Sequence, residues 1–241
     1  MTADRWAQAV RQQLGLGRLL PLGGPGDGAW ITEGAAEGAL RRTVAAVPGV
    51  RLGPLRLALA DPEGTYESTV LAPPSALPPG PLRIEAECAA TADEPLPQAA
   101  ARLREALSDA AEQRLGLVVA EVDLRVTALL DDAPAQPDEP ESAAPAAKDS
   151  TLTGDEGRAA QTALEVTGVV RLTGALGGLG RAVHIDETES RAALPRRHVR
   201  VELAVSASHR ALDVTRAVRE AVTTALPDGP TVSVLVTEVH P

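Results

Sequence analysis

Val47-Pro48-Gly49-Val50-Arg51-Leu52 returns in the second half of the chain as Val166-Thr167-Gly168-Val169-Val170-Arg171-Leu172, the same phrase with one residue added. Further echoes follow in the same order. Leu82-Arg83-Ile84-Glu85 is matched by Val199-Arg200-Val201-Glu202, and Leu103-Arg104-Glu105-Ala106-Leu107 by Val218-Arg219-Glu220-Ala221-Val222. Val122-Asp123-Leu124-Arg125-Val126-Thr127 is matched by Val232-Ser233-Val234-Leu235-Val236-Thr237. Ordered blocks at similar spacing predict a diverged tandem repeat: two small units, each with its own core.

Working outward, each unit reads as helix–strand–strand–helix–strand. Thr32 is suited to cap a helix whose apolar stripe is Ala36, Leu40, Val44 and Val47, ended by Pro48-Gly49. Leu55, Leu57 and Leu59 line one side of a strand. Leu82, Ile84, Ala86 and Cys88 alternate with Arg83, Glu85 and Glu87, the mark of a strand with one buried face. Leu96, Ala100, Leu103, Leu107 and Ala110 form a second helical stripe stopped at Gly116, and Val122, Leu124 and Val126 share a face of the last strand. The predicted fold class is α/β, specifically a two-layer α+β arrangement with helices on one face of a small sheet, occurring twice in tandem.

The expected boundaries are residues 1–29 for an N-terminal amphipathic helix and flexible connector, 30–130 for the first unit, 131–153 for an acidic, Pro-rich linker, and 154–241 for the second unit. Leu19–Trp30 reads as the connector because Pro21, Gly23, Gly24, Pro25, Gly26 and Gly28 interrupt it. The final strand, Thr231–Val239, is apolar on both faces. Such a strand is either central in its sheet or covered by a partner.

The chain of 241 residues is 44% hydrophobic but only 1% aromatic, and its formal net charge is −10. Its cores must be built from Leu, Val, Ile and Ala. Nucleic-acid binding, which needs cations to displace counterions and aromatics for stacking, is disfavoured. No apolar run approaches the length of a membrane span. The single cysteine, Cys88, forms no internal disulfide and fits a cytoplasmic setting. The predominance of Arg, Ala, Gly and Pro suggests a high-GC coding sequence.

Chemistry-bearing signals are sparse. Thr173-Gly174-Ala175-Leu176-Gly177-Gly178-Leu179-Gly180 fits the phosphate-binding turn of short-chain reductases, in which glycines let a backbone approach a pyrophosphate at a helix N-terminus. It is the basis of an alternative reading, a nicotinamide-dependent short-chain reductase. Yet the residues after it alternate like a strand, and the Tyr-x-x-x-Lys pair of such enzymes is impossible because Tyr66 and Lys148 both lie upstream. His184, His198, His209 and His240 lack the clustering a zinc site needs. Cys88 sits on the apolar side of its strand beside acids that oppose a thiolate. The paired acids Asp93/Glu94, Glu121/Asp123, Asp131/Asp132 and Asp186/Glu187 read as solvated surface. No catalytic, cofactor-binding or metal-ligating residue is expected. The candidate partner-binding residues are Trp6, Val10 and Leu14, which fall at helical spacing on a glycine tether.

Ile31-Thr32-Glu33 with Ala35-Ala36, Val47-Pro48-Gly49-Val50, the helix Leu96–Leu107, Leu115-Gly116-Leu117 and Val122-Asp123-Leu124-Arg125-Val126 together resemble the alkaline-shock family of envelope stress response proteins of Gram-positive bacteria. The resemblance spans about residues 30–130. It extends more loosely over about 157–239, where Thr167 stands for the proline and Pro227-Asp228-Gly229 for the Gly-Leu step. It implies a non-enzymatic scaffold that works by protein–protein assembly, with itself or with a protein partner, and reaches the membrane through an anchor protein rather than a span of its own.

Overall fold

The computed structural model describes residues 17–131, 154–175, 181–188 and 196–241. The 131–153 linker beyond Asp131, and Trp6, Val10 and Leu14, lie outside the described residues.

The described chain folds into four helices and nine strands in two sheets. A hairpin, β1 (Leu19–Leu22) and β2 (Ala29–Thr32), leads into α1 (Glu33–Val44). Thr32 caps α1 by accepting the Ala35 N–H, and Glu33 occupies the first turn, where the helix dipole favours an anion. β3 (Val50–Leu59), β4 (Leu82–Thr91), α2 (Leu96–Asp109) and β5 (Val119–Leu130) follow. They build a three-stranded sheet in the order β3-β4-β5, with β3 antiparallel and β5 parallel to β4.

The second half runs α3 (Gly154–Leu164), β6 (Val169–Leu172), β7 (Val183–Thr188), β8 (Arg196–Ser206), α4 (Ala211–Ala225) and β9 (Thr231–His240). β6 and β7 both pair antiparallel with β8, and β9 is parallel to β8. The Thr173 N–H reaches the Glu202 carbonyl, and the Glu202 N–H reaches the Ala182 carbonyl. β6 and β7 are therefore one edge of the sheet, opened between Thr173 and Ala182. The first half opens the same edge by one extra residue: Leu52 faces Cys88 and Leu55 faces Ala86, so that Gly53 and Pro54 together stand opposite Glu87. In the second half Leu172 faces Leu203 and Val183 faces Val201.

This geometry corrects one of the sequence matches. Placing Leu52 with Leu172 sets Cys88 with Leu203 and Glu87, not Glu85, with Glu202. The strand β4 register is thus displaced by two from the match of Leu82–Glu85 to Val199–Glu202. A shift of two leaves every side chain on its original face, so alternation alone cannot detect it.

The larger departure lies at the start. Leu19–Trp30, read as a flexible connector, is an ordered hairpin, strand at both ends and turn between. All four residues of β1 and of β2 are buried, and β2 adds in parallel to β9 through Ala29/Val234, Trp30/Leu235 and Ile31/Val236. The glycine-rich stretch is the hairpin turn. Asp27 fixes it: its carboxylate accepts the Gly24 N–H at 2.8 Å and meets Arg216 Nε of α4 at 2.7 Å. Arg219 donates to the Gly26 carbonyl at 3.0 Å. Pro21, which lacks an N–H, is tolerated because β1 is at the sheet edge.

Because the hairpin completes the second sheet, residues from both halves share one contiguous apolar cluster, where the sequence suggested a core per unit. α1 packs on β3 and also on β9. After α2 the chain makes one wide turn, Ala110–Leu115, and stops at Gly116, whose φ is +87°. A Cβ there would lie 2.4 Å from Leu212 Cβ of α4, so the close approach of the two halves demands glycine. The Gly23 N–H donates to the Gly116 carbonyl at the same place.

Candidate functional site

Each sheet has an inner face toward the helices and an outer face away from them. Arg83, Glu85 and Glu87 of β4, Glu121, Asp123 and Arg125 of β5, and Arg56 of β3 occupy the outer face of the β3-β4-β5 sheet. Arg83 Nε meets Glu121 at 3.0 Å and Asp123 at 3.8 Å, and Arg125 meets Glu87 at 3.9 Å. The pairs are solvated and hold little stability. Arg56, Glu85, Glu87, Asp123 and Arg125 line an open groove of about 360 Å³.

The outer face of the larger sheet is dry. His198, Arg200 and Glu202 of β8 share it with Thr231, Ser233, Leu235 and Thr237 of β9 and with Trp30 of β2. Trp30, Leu19 and Leu235 form a small apolar cluster, with Ala76 from the loop after β3 packed against it. The Glu202 side chain is 0% exposed. It accepts the Ala175 N–H at 2.8 Å and lies 3.8 Å from Arg200 Nε. His198 engages Thr231 Oγ1 and Ser233 Oγ, each at 2.8 Å. Thr173 and Thr237 join hydroxyls at 2.7 Å. Burial, with the charges of Arg200 and Arg219 against that of Asp186, lowers the His198 pKa from its ordinary value. Burial and Arg200 likewise lower that of His184. Both imidazoles are therefore held neutral.

The His198 and hydroxyl part of this constellation is a satisfied network, while Trp30 Nε1 and Arg200 Nε are buried without a hydrogen-bond partner among the described residues. Both His198 ring nitrogens are engaged, and Glu202 is committed to the backbone that leaves β6. A general base must reach the proton that it removes. The glycine-rich segment that begins at Thr173 leaves one edge strand and rejoins it at Ala182. A phosphate-binding turn requires a strand feeding a helix; Thr173–Ala175 and Ala182–Thr188 instead lie on either side of an opened sheet edge. Residues 176–180 lie outside the described residues.

Cys88 is buried in the core, and burial raises its thiol pKa. Among the described residues, no group of three or more His, Cys, Asp and Glu could hold a metal ion, and no helix is long and apolar enough to cross a membrane.

The strand edges distinguish themselves. β9, which the sequence presented as apolar on both faces, is central: β8 lies on one side and β2 on the other, and its outer face carries Thr231, Ser233, Leu235 and Thr237. The outer edge of β1 is covered by the loop after β3, where Leu77 donates to the Leu19 carbonyl. β3 carries the Gly53-Pro54 bulge, which interrupts pairing along its free edge. β5 is different. It is 12 residues long, contains neither Gly nor Pro, and among the described residues pairs only with β4. Its inner stripe runs past the cover of α2, leaving Val126 37% and Leu129 63% exposed. The sequence showed this strand but not its edge, because edge or centre depends on which strands come to lie beside it.

No protein-family model matches this chain, and a search of curated proteins returns no match.

Proposed function

We propose that this chain is a non-enzymatic binding or scaffold protein of the envelope stress response type, acting through protein–protein assembly in the cytoplasm and reaching the membrane through an anchor protein. The observation that carries the reading is the edge of β5, which among the described residues is open and offers unpaired backbone groups beside exposed Val126 and Leu129. Strand addition uses this combination: main-chain hydrogen bonds supply affinity and alternate side chains supply selectivity. The molecule contains a filled example. β5 lies beside β4 as β9 lies beside β8, parallel and with a register shift at the same step, Cys88/Val126 and Leu203/Val236. The far edge of β9 holds β2. The corresponding edge of β5 is open among the described residues. The resemblance to alkaline-shock proteins supports the same reading.

Photo-crosslinking tests it. A photoreactive residue at Leu129 in the full chain, expressed in cells, is expected to yield protein adducts. The same residue at exposed Arg51 serves as the control. Adducts at position 129 no more abundant than at position 51 would overturn the reading.

A further inference from the structure

We infer that the partner of the β5 edge is a second copy of β5, paired antiparallel about a twofold axis through Leu124. This rests on the assembly reading and specifies its occupant.

The argument is one of charge and face. In a two-fold antiparallel pair, one residue opposes itself, and its neighbours oppose each other across the axis. Over the regular segment Val122–Val126 the inner residues are Val122, Leu124 and Val126, and the outer residues are Asp123 and Arg125. Pairing centred on Asp123 or on Arg125 sets like charges face to face. Pairing centred on Leu124 sets Asp123 against Arg125 twice, Val122 against Val126 twice, and Leu124 against itself. Every cross-strand pair is then favourable. A register displaced by one residue would mix inner and outer faces and is excluded by the alternation.

Among the described residues, nothing holds these charges firmly. Arg125 is 80% exposed at its side chain and 3.9 Å from Glu87; Asp123 is 65% exposed and 3.8 Å from Arg83. The register shifts of β5, next to Val119/Glu121 and Val126/Ala128, bound the ladder on both sides. The result would be a continuous sheet, β3-β4-β5-β5-β4-β3. Charged side chains at an edge ordinarily discourage association; alternating signs about an apolar centre instead select this one register.

A ladder this short belongs with interfaces under about 1,200 Å², so weak, concentration-dependent dimerisation is expected. Sedimentation equilibrium of the full chain provides the test, with circular dichroism to establish that each variant is folded. Asp123→Arg sets arginines in opposition, and Arg125→Asp sets aspartates in opposition. Each is expected to weaken dimerisation at least about tenfold. The double reversal, D123R with R125D, is expected to restore it. So is an equimolar mixture of the two single variants, since each then meets its opposite. Should a single reversal perturb folding, the double variant still decides. Retained dimerisation in both folded single variants overturns the proposed register, as does a double variant that stays monomeric. A wild-type chain monomeric through about 500 μM overturns self-pairing altogether. Crosslinking at Leu129 to other proteins would, in that event, leave the assembly reading standing.

Discussion

β9 and β5 hold the same place in their sheets, yet one is sealed and the other open. Each lies parallel to the middle strand of its own half, with a register shift at the same step. On β9, Leu235 packs beneath Trp30, and β2 takes the far edge. On β5 the corresponding outer position is Arg125, and the far edge is unpaired among the described residues. The difference lies outside the strands. The hairpin at the beginning of the chain reaches β9 and has no counterpart beside β5. An edge is therefore a property of what the rest of the chain delivers to it, and the strand's own side chains register the result: uncharged on the covered outer face of β9 (Thr231, Ser233, Leu235, Thr237), charged on the wet outer face of β5 (Glu121, Asp123, Arg125).

The largest expected effect comes from removing the cover. Trp30→Ala deletes the biggest buried side chain on the outer face and should cost about 3–5 kcal/mol, read as a lower urea midpoint. Leu129→Ala on the open strand should change stability by less than about 0.5 kcal/mol. Equal losses would break the distinction between the two strands.

The two glutamates at the same register position sharpen it further. Glu202 is buried on the Ala175 N–H and beside Arg200, and Glu87 is 42% exposed at its side chain near Arg125. Glu202→Ala should destabilise by about 3 kcal/mol because it leaves the buried Ala175 N–H unpaired and strips the partly buried Arg200 of its neighbouring carboxylate. Glu87→Ala should fall within about 0.5 kcal/mol. Thermal melts of both variants at pH 7 decide the point. A neutral Glu202→Ala would mean that the buried face does not depend on its carboxylate.

Acidification should act first on the sealed sheet. His184 and His198 have folded pKa values below their ordinary 6.5, so the unfolded chain binds protons before the folded one does. Their contribution is fully present above pH 6.5 and is lost as pH falls through 6.5 toward the lower folded values. Asp27 and Glu33 act in the same direction at lower pH. Burial opposes their ionisation, but Arg216, Arg219 and the Gly24 N–H outweigh it at Asp27, and Arg18 does so at Glu33. Their contribution is present above 3.8 and 4.5, their ordinary values, and is lost below. Urea midpoints between pH 8 and 5 should decline, and His198→Gln should flatten part of that decline. An unchanged slope would remove His198 from the account.

The smallest effect is local. Outward-facing amides of β5 should exchange hydrogen faster than those of β9 at low protein concentration, and protection of β5 alone should rise on assembly. Uniform protection at every concentration would mean that the edge is already occupied.

Much of the fold was legible because its signals are local. Thr32 capping, the α1 stripe of Ala36, Leu40 and Val44, the alternation of Leu82–Cys88 and the stop at Gly116 are written within a few residues of where they act. The hairpin was misread because glycine and proline mark turns and connectors alike. The apolar flanks, Leu19-Leu20 and Trp30-Ile31, were the available sign that strands bracket the turn. The β4 match was off by two because alternation has that period. Of the candidate site, Trp6, Val10 and Leu14 lie outside the described residues, and the open edge of β5 had no sequence signature at all.

By itself, then, the sequence determined the helices and the strands β3, β4, β5, β8 and β9 with the face each turns inward, though not the hairpin β1-β2, because hydrophobic periodicity and capping are near-neighbour effects. It also posed the right alternatives for the last strand, central or partnered. Only the tertiary structure decided that β9 is central, that β2 makes it so, and that β5 is left open. Those outcomes depend on backbone pairing between segments some 200 residues apart. Backbone hydrogen-bonding groups are the same in every residue but proline, so the side chains do not announce which strands will meet.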